Sequence, residues 1–270
     1  QEVAHAAGEL NAKDFYDAVQ TCRTAYVAKT TGAQKDDPIE CYHDRIRESA
    51  LAHLGAARRI HIHTRLAAAF DEVEKENADA FTMVRHLLGA GNHQRAAEVA
   101  EAAATKAEEG MAFLQSAELY ALAVHIGSFS EEKERALRLR WADVLANSGQ
   151  GKEAGDLYLA ASEGVDEKER LRCELLAGTQ FLYAGYIEEG LAAMDKVMAE
   201  IGETMPKSSK RALVSLLWNR AKLKLRGRRW KEKKESSISS KAKRRLDIYK
   251  VISVSMGLVD TIRGADFQVR

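Results

Sequence analysis

The sequence predicts an all-α protein, an α-solenoid of antiparallel helix pairs that follows a small remnant of another domain. Composition is the first reason, because alanine, leucine, glutamate, lysine and arginine dominate and only two prolines, Pro38 and Pro206, interrupt 270 residues. The second reason is the recurrence of helix-length apolar patterns between short breaks. The third is a residue pattern that occurs twice at a fixed offset.

The repeated pattern occupies residues 142–197, and its two copies have identical spacing at an offset of 36 residues, close to the period of a helix-turn-helix repeat. Such a repeat needs small residues where its helices cross, a large residue that fills the gap and a glycine in the turn. The copies are Ala142, Leu145, Gly149, Ala154, Tyr158 and Ala161, then Gly178, Phe181, Gly185, Gly190, Met194 and Val197. The pattern resembles the tetratricopeptide repeat, which implies a protein that binds, braces or transmits. Parts of the spacing also occur earlier, at Gly91, Ala96, Ser116, Tyr120 and Ala123.

The N-terminal part is predicted to be the end of a winged-helix domain. Asn11–Cys22 has apolar residues at helical spacing. Strands are predicted over Thr24–Thr30 and Pro38–Tyr42, joined by turn residues at 31–37. A helix followed by a two-stranded ribbon is how a winged helix ends, and a further helix is predicted over Asp44–Leu54.

The remaining chain alternates between helices and short breaks, which makes consecutive helices antiparallel neighbours. A helix over Arg58–Val73 is followed by breaks at Gly89–Asn92, Glu109–Gly110, Gly127–Ser130, Asn147–Gly151, Gly164–Asp166, Ala184–Tyr186 and Gly202–Ser209. Ala212–Leu225 has its apolar face at Leu213, Leu216, Leu217 and Leu223, Ser236–Ser240 is a loop, and Arg245–Val259 is a last helix. We therefore expect residues 1–54 to end a winged helix, residues 55–206 to form the repeats, and residues 207–270 to be a basic segment that continues the array.

Charge is distributed unevenly. Lys207–Lys250 holds 17 basic and three acidic residues, which leaves the remainder net acidic by about 13 charges. Three scattered cysteines without a CxxC pair favour a reducing cytoplasm. No apolar run is long enough to span a bilayer, and no signal peptide opens the chain. Because the chain begins at Gln1 and stops at Arg270 within an unfinished pattern, we expect an internal piece of a longer protein.

Two stretches resemble a known protein family. Tyr42–Leu51 (YHDRIRESAL), followed by Arg58–His61 (RRIH) and then Leu66-Ala67, is similar to a junction in bacterial signal-transduction ATPases with numerous domains. In that family a winged helix closes the nucleotide-binding module and a helical repeat follows. His63 stands where the family more often has other residues. Leu225–Lys233 with Met256–Gln268 resembles proteins in which a serine/threonine kinase precedes this ATPase and a tetratricopeptide-like tail.

The resemblance implies a regulatory sensor or scaffold segment. Its partners would be the protein's own ATPase and kinase domains in cis, and a protein partner or small effector on the solenoid surface. ATP and magnesium would belong to those other domains, so we expect no catalytic residue, cofactor site or metal site in this segment. We expect no membrane partner. The alternative is a free-standing helical-repeat adaptor that binds other proteins.

Several motifs suggest chemistry that their context does not support. Gly149–Lys152 contains a Gly-Lys pair, but a phosphate loop needs a preceding strand and a following Ser or Thr. His43–Arg45 and Asp266–Gln268 approach kinase signatures without matching them. His61 and His63 with His53 or His86 suggest a metal site, yet residues two apart on a helix point to nearly opposite sides.

Nucleic-acid binding is the weaker alternative. The candidate recognition helix Asn11–Cys22 offers Lys13 and Gln20, which nearby aspartates offset. The basic tract Lys222–Arg245, with Trp218 and Trp230 for stacking, is the better candidate. A solvated basic face, or one that docks on an acidic part of the parent protein, explains the same residues.

Overall fold

A computed structural model of the chain describes residues 1–32, 37–73, 79–227 and 234–270. Within these ranges the chain is mainly helical with two short strands, which confirms the predicted all-α class. The first seven helices are α1 Glu2–Ala7, α2 Ala12–Thr24, α3 Asp44–His53, α4 Ala56–Val73, α5 Ala80–Gly89, α6 His93–Glu109 and α7 Phe113–Ile126. They are followed by α8 Glu131–Asn147, α9 Gly151–Ala161, α10 Glu167–Tyr183, α11 Ile187–Glu200, α12 Ser209–Arg226, α13 Ser240–Val259 and α14 Thr261–Val269, with a short 3-10 turn at Glu235–Ser237 before α13.

Polar side chains directly before many of the helices explain where those helices begin. Each of these capping side chains accepts a hydrogen bond from a backbone N–H in the first helical turn, where the N–H groups have no partner inside the helix. The sequence did not predict α1 and α14. The helices that it did predict lie within a few residues of those observed. The capping residues are Asn11, Asp79, Asn92, Ser130, Asp166, Ser208, Ser239 and Asp260.

The two predicted strands are present but shorter than expected. β1 (Ala28–Thr30) and β2 (Ile39–Cys41) pair antiparallel, with Ala28 opposite Cys41. Lys29 and Glu40 face each other across the pair, with Nζ and Oε2 separated by 3.2 Å. Residues 33–36 of the predicted turn lie outside the described residues. The order α2, β1, β2, α3 agrees with the predicted helix and ribbon, and the winged-helix interpretation of it stays a prediction.

The chain divides into two compact units. Unit 1 consists of Gln1–Gly110 and Glu118–Phe129, and unit 2 of Met111–Ala117 and Ser130–Arg270. The core of unit 1 lies around Val84 and Leu87 of α5, which pack with Ala96, Ala100 and Ala123. The core of unit 2 joins α10, α11, α13 and α14 through Leu171, Leu182, Met194, Val197, Met198, Met205, Ile248, Tyr249, Ile252, Met256 and Phe267.

In unit 2, most residues of the two pattern copies are buried where the helices meet, as their spacing predicts. The pattern alanines, Tyr158, Phe181, Met194 and Val197 are all at least 97% buried. A Cβ on Gly178 of α10 would lie 3.2 Å from the carbonyl oxygen of Gly190 and from the Ala193 Cβ on α11. Helix backbones approach this closely only where side chains are absent or small.

Candidate interaction surface

The outward side of α12 is the candidate interaction surface. Ala212 and Leu216 are the buried residues of this helix. Leu213, Leu217 and Leu223, which the sequence predicts to share an apolar face with Leu216, are exposed. Periodicity shows which residues share a helix face but not whether a neighbour covers that face.

A second apolar stripe runs along the opposite side of α12. Val214, Trp218, Ala221 and Leu225 follow one another at i, i+4, i+7 and i+11, the spacing of one helix face. Leu217 lies beside them. The exposed fractions are 69% for Val214, 63% for Trp218 and 88% for Leu225. We call Val214, Leu217, Trp218, Ala221 and Leu225 the outer stripe.

Cations flank the outer stripe on both edges. At 100° per residue, Arg211 and Lys222 follow one edge, and Arg220 and Lys224 follow the other. The Lys222 Nζ lies 5.4 Å from the centroid of the Trp218 ring. Lys207–Arg226 contains seven basic residues and no acidic one. Within the described ranges, none of these seven forms an ion pair with a carboxylate.

The predicted basic tract 222–245 therefore has two different ends. Arg244 and Arg245, at the start of α13, are paired with carboxylates of unit 2: Arg244 lies 3.3 Å from Glu167 and Arg245 lies 2.5 Å from Glu203. These pairs agree with the interpretation that part of the tract docks on acidic residues. Residues 228–233, including Trp230, lie outside the described residues.

The Gly-Lys motif at Gly149–Lys152 forms the turn between α8 and α9. Gly149 has a φ of +84° and Gly151 is the first residue of α9. The Lys152 Nζ lies 2.8 Å from Asp156 Oδ1 and 5.1 Å from the centroid of the Phe181 ring. The lysine thus has an acidic and an aromatic partner, and the loop has the helix–turn–helix context expected of a repeat.

The candidate histidines separate into different contacts. His61 Nε2 lies 3.1 Å from Glu9 Oε1, whereas His63 Nδ1 lies 3.0 Å from His86 Nδ1 on α5. His53 contacts a backbone carbonyl of its own helix. The structure brings His63 and His86 together but neither of the other two. Among the residues described, no three His, Cys, Asp or Glu side chains are grouped so that they could hold a metal ion.

The predicted recognition helix, α2, packs its apolar face inward through Phe15 and Val19. Lys13 and Gln20 are exposed, and the carboxylate of Asp14 accepts a hydrogen bond from the Asn11 side chain at 2.8 Å. This surface carries charges of both signs, unlike the outer face of α12.

Buried tyrosine hydroxyls form a recurring contact that the sequence analysis missed. Tyr158 donates to the carboxylate of Asp143, fifteen residues earlier on α8. Tyr120, which is at the equivalent position of the earlier degenerate pattern, lies 3.3 Å from the Thr105 hydroxyl at the same separation and donates to Glu108. Burial, followed by the bond to Asp143, raises the pKa of Tyr158. A polar residue fifteen positions before a pattern tyrosine would have been the sequence signal.

A small cavity of unit 2 has charged residues of both signs in its wall. Its volume is about 530 Å³, and Asp195, Glu203, Lys207 and Arg263 contribute to its lining. Arg263 Nε lies 3.4 Å from Asp260 Oδ2, which is close enough for an ion pair, but within the described residues this Nε forms no hydrogen bond.

Comparison of the chain with protein-family models, with curated proteins and with solved structures finds no match. None of the helices in the described ranges has both the length and the apolar character needed to cross a membrane.

Proposed function

We propose that this segment is a non-catalytic regulatory scaffold of a bacterial signal-transduction ATPase that is fused to a serine/threonine kinase. The observation that carries the proposal is the agreement between the two pattern copies and their packing. Gly149 and Gly185 adopt the same turn conformation, with φ of +84° and +85°, and the crossing positions are buried and small. Stacked helix pairs of this kind present surfaces to partners.

The junction at residues 42–51 supports the ATPase part of the proposal. β2 ends at Cys41 and α3 begins at Asp44, so the motif that resembles the family's junction lies where a strand passes into a helix. In the family, this junction connects the nucleotide-binding module to the repeats. We propose that residues 1–54 transmit a change in the repeats to that module.

The proposed mechanism is a shift between two states of the parent protein. A protein partner or a small effector binds the surface of the helix pairs. Either ligand shifts the equilibrium only if it binds one state better than the other, and the difference in affinity sets the size of the shift.

The test begins with the coding DNA upstream of Gln1. A nucleotide-binding module with a phosphate loop, preceded by kinase signatures, is the expected result. An initiator methionine a few codons upstream would instead support the free-standing adaptor. If the module is present, deleting Gln1–Leu54 from the parent protein should make ATP turnover indifferent to a ligand of the repeats. Turnover that still responds would contradict the transmitting role.

A further inference from the structure

The outer stripe of α12 is a large apolar surface that no described part of the chain covers. Val214, Trp218 and Leu225 are each more than 60% exposed. They span twelve residues, or about 16 Å along the helix axis. Exposing apolar side chains of this size to water is unfavourable. A contiguous apolar patch rimmed by charge is typical of an interaction site.

The charges around the stripe indicate what covers it. Cations follow both edges, and Lys207–Arg226 contains no acidic residue. Trp218 lies in the middle, where a ring with an apolar body and a polar N–H suits a boundary between hydrocarbon and water. An apolar stripe with Trp and Leu, bordered by Lys and Arg, is the pattern of a helix that lies in a membrane surface.

We propose that the outer face of α12 docks on an anionic phospholipid bilayer. The stripe is buried at the boundary between headgroups and acyl chains, and Arg211, Arg220, Lys222 and Lys224 contact headgroup phosphates and carboxylates. The helix lies parallel to the surface over its 18 residues, about 27 Å. This position requires no helix that crosses the membrane.

A bilayer matches the face better than a nucleic acid does. The phosphates of a nucleic acid would pair with the cations at both edges but would leave Val214 and Leu225 in water. A bilayer satisfies both features at once, because its anionic headgroups lie directly above hydrocarbon. The proposal replaces the expectation of no membrane partner, which considered only segments that span the bilayer. It does not depend on the proposed regulatory function.

The test is co-sedimentation of the 270-residue chain with vesicles of phosphatidylcholine containing about a third phosphatidylserine. We expect binding to these vesicles, and at least tenfold weaker binding to pure phosphatidylcholine. In a chain with Trp141→Phe and Trp230→Phe, the emission of Trp218 should shift to the blue when the anionic vesicles are added. Emission that does not move would show that Trp218 stays in water and would overturn the proposed position.

Two pairs of variants distinguish binding by the outer stripe from a general effect of charge or of exposed apolar side chains. Lys222→Glu with Lys224→Glu should weaken binding about tenfold or more, whereas the same charge change at the exposed Lys168 and Lys196 should weaken it much less.

Trp218→Ser with Leu225→Ser should also weaken binding at least tenfold, and Leu258→Ser, at a 75% exposed site on α13, should not. Helical circular dichroism checks that each variant is folded. Absence of vesicle binding overturns the proposal. So does binding that the charge changes reduce but the stripe changes leave unaltered, because that result describes a general polyanion surface such as a nucleic-acid site.

Discussion

Glycines in contact with large side chains determine the packing of unit 2 at the scale of single residues. Gly155 of α9 faces the ring of Phe181, and a Cβ placed there would lie 2.4 Å from a ring carbon. Phe181 is 2% exposed, so the ring has no room to withdraw. Gly190 faces Leu182 in the same way, with a Cβ distance of 2.7 Å. One methyl group is therefore enough to separate neighbouring helices.

Gly155→Ala should lower the free energy of unfolding by about 1–3 kcal/mol, because the added methyl collides with a ring that cannot move. The matched control is Gly257→Ala, also inside a helix, where a Cβ would have no neighbour within 4 Å. That change should raise the free energy of unfolding by about 0.5–1 kcal/mol through helix propensity. Urea unfolding measures both values, and equal effects of the two changes would contradict the close contact between Gly155 and the Phe181 ring.

His86 should make the protein lose stability in mild acid. Burial, followed by the charge of Arg85 and then by His63, lowers the pKa of His86 to about 4 from an ordinary 6.5. The folded state therefore holds this ring neutral, whereas the unfolded state takes up a proton below about pH 6.5. The contribution of His86 to the free energy of unfolding is therefore fully present above about pH 6.5 and is lost as the pH falls to about 4. The loss attributable to this group is about 3 kcal/mol. His86→Gln should remove that part of the pH dependence in urea unfolding, whereas His125→Gln, at an exposed site, should leave it.

Cys41 and Cys173 should differ in their reactivity toward a thiol reagent. Cys173 is buried, and burial raises its pKa to about 11, whereas Cys41 is exposed. Because the thiolate is the reactive form, Cys41 should be modified quickly and Cys173 only when the protein unfolds. Mass spectrometry of the labelled peptides distinguishes the sites. Rapid labelling of Cys173 in the native protein would contradict its burial.

At the scale of elements, one turn geometry ends several helices. Gly91, Gly149, Gly185 and Gly202 all have φ between +76° and +85°. In each case the next residue's N–H donates to the carbonyl five residues earlier, as Gln150 does to Leu145 at 2.9 Å. This is the Schellman arrangement, which satisfies helix carbonyls that lack partners. The turn at Gly91, where the chain has only part of the pattern, has the same arrangement, since Asn92 donates to Leu87 at 2.8 Å.

Gly149→Val should lower the free energy of unfolding by about 1–2 kcal/mol or more, because a β-branched residue is strained at this φ. Nothing lies within 4 Å of a Cβ at Gly149, so the cost would come from the backbone alone. Gly149→Asn should cost less, since asparagine tolerates this conformation, and Gly185→Val should cost as much as Gly149→Val. Melting temperatures test this order, and an unchanged value for Gly149→Val would count against the repeat register.

At the scale of the whole molecule, each compact unit has its own apolar core. The core of unit 1 is rich in alanine, with Ala96 and Ala100 fully buried on α6. The core of unit 2 uses methionines of α11 and α13, among which Met194, Met198 and Met256 are fully buried in one cluster. Long flexible side chains fill the irregular space between helices that are distant in sequence.

Met194→Ala should lower the free energy of unfolding by about 2–5 kcal/mol, because it leaves a cavity in the core of unit 2. Since Met194 and Ile252 belong to one cluster, backbone amides of α13 should exchange with deuterium faster although the change is on α11. Met111→Ala, the same chemical change at a site that is 76% exposed, should alter stability by less than about 0.5 kcal/mol. Unaltered exchange in α13 would contradict a shared core.

The sequence by itself determined the helical class and most helix boundaries. Breaks such as Asn147–Gly151 were predicted because caps and turn glycines act on their immediate neighbours, and the repeat spacing likewise located buried positions such as Met194. Tertiary structure decided which apolar faces are covered. Leu216 and Leu217 are equally apolar, yet the first is buried and the second is 57% exposed. Their difference depends on where a neighbouring helix lies, and contacts between residues distant in the chain leave no local pattern. The candidate surface on α12 therefore became visible only in the folded protein.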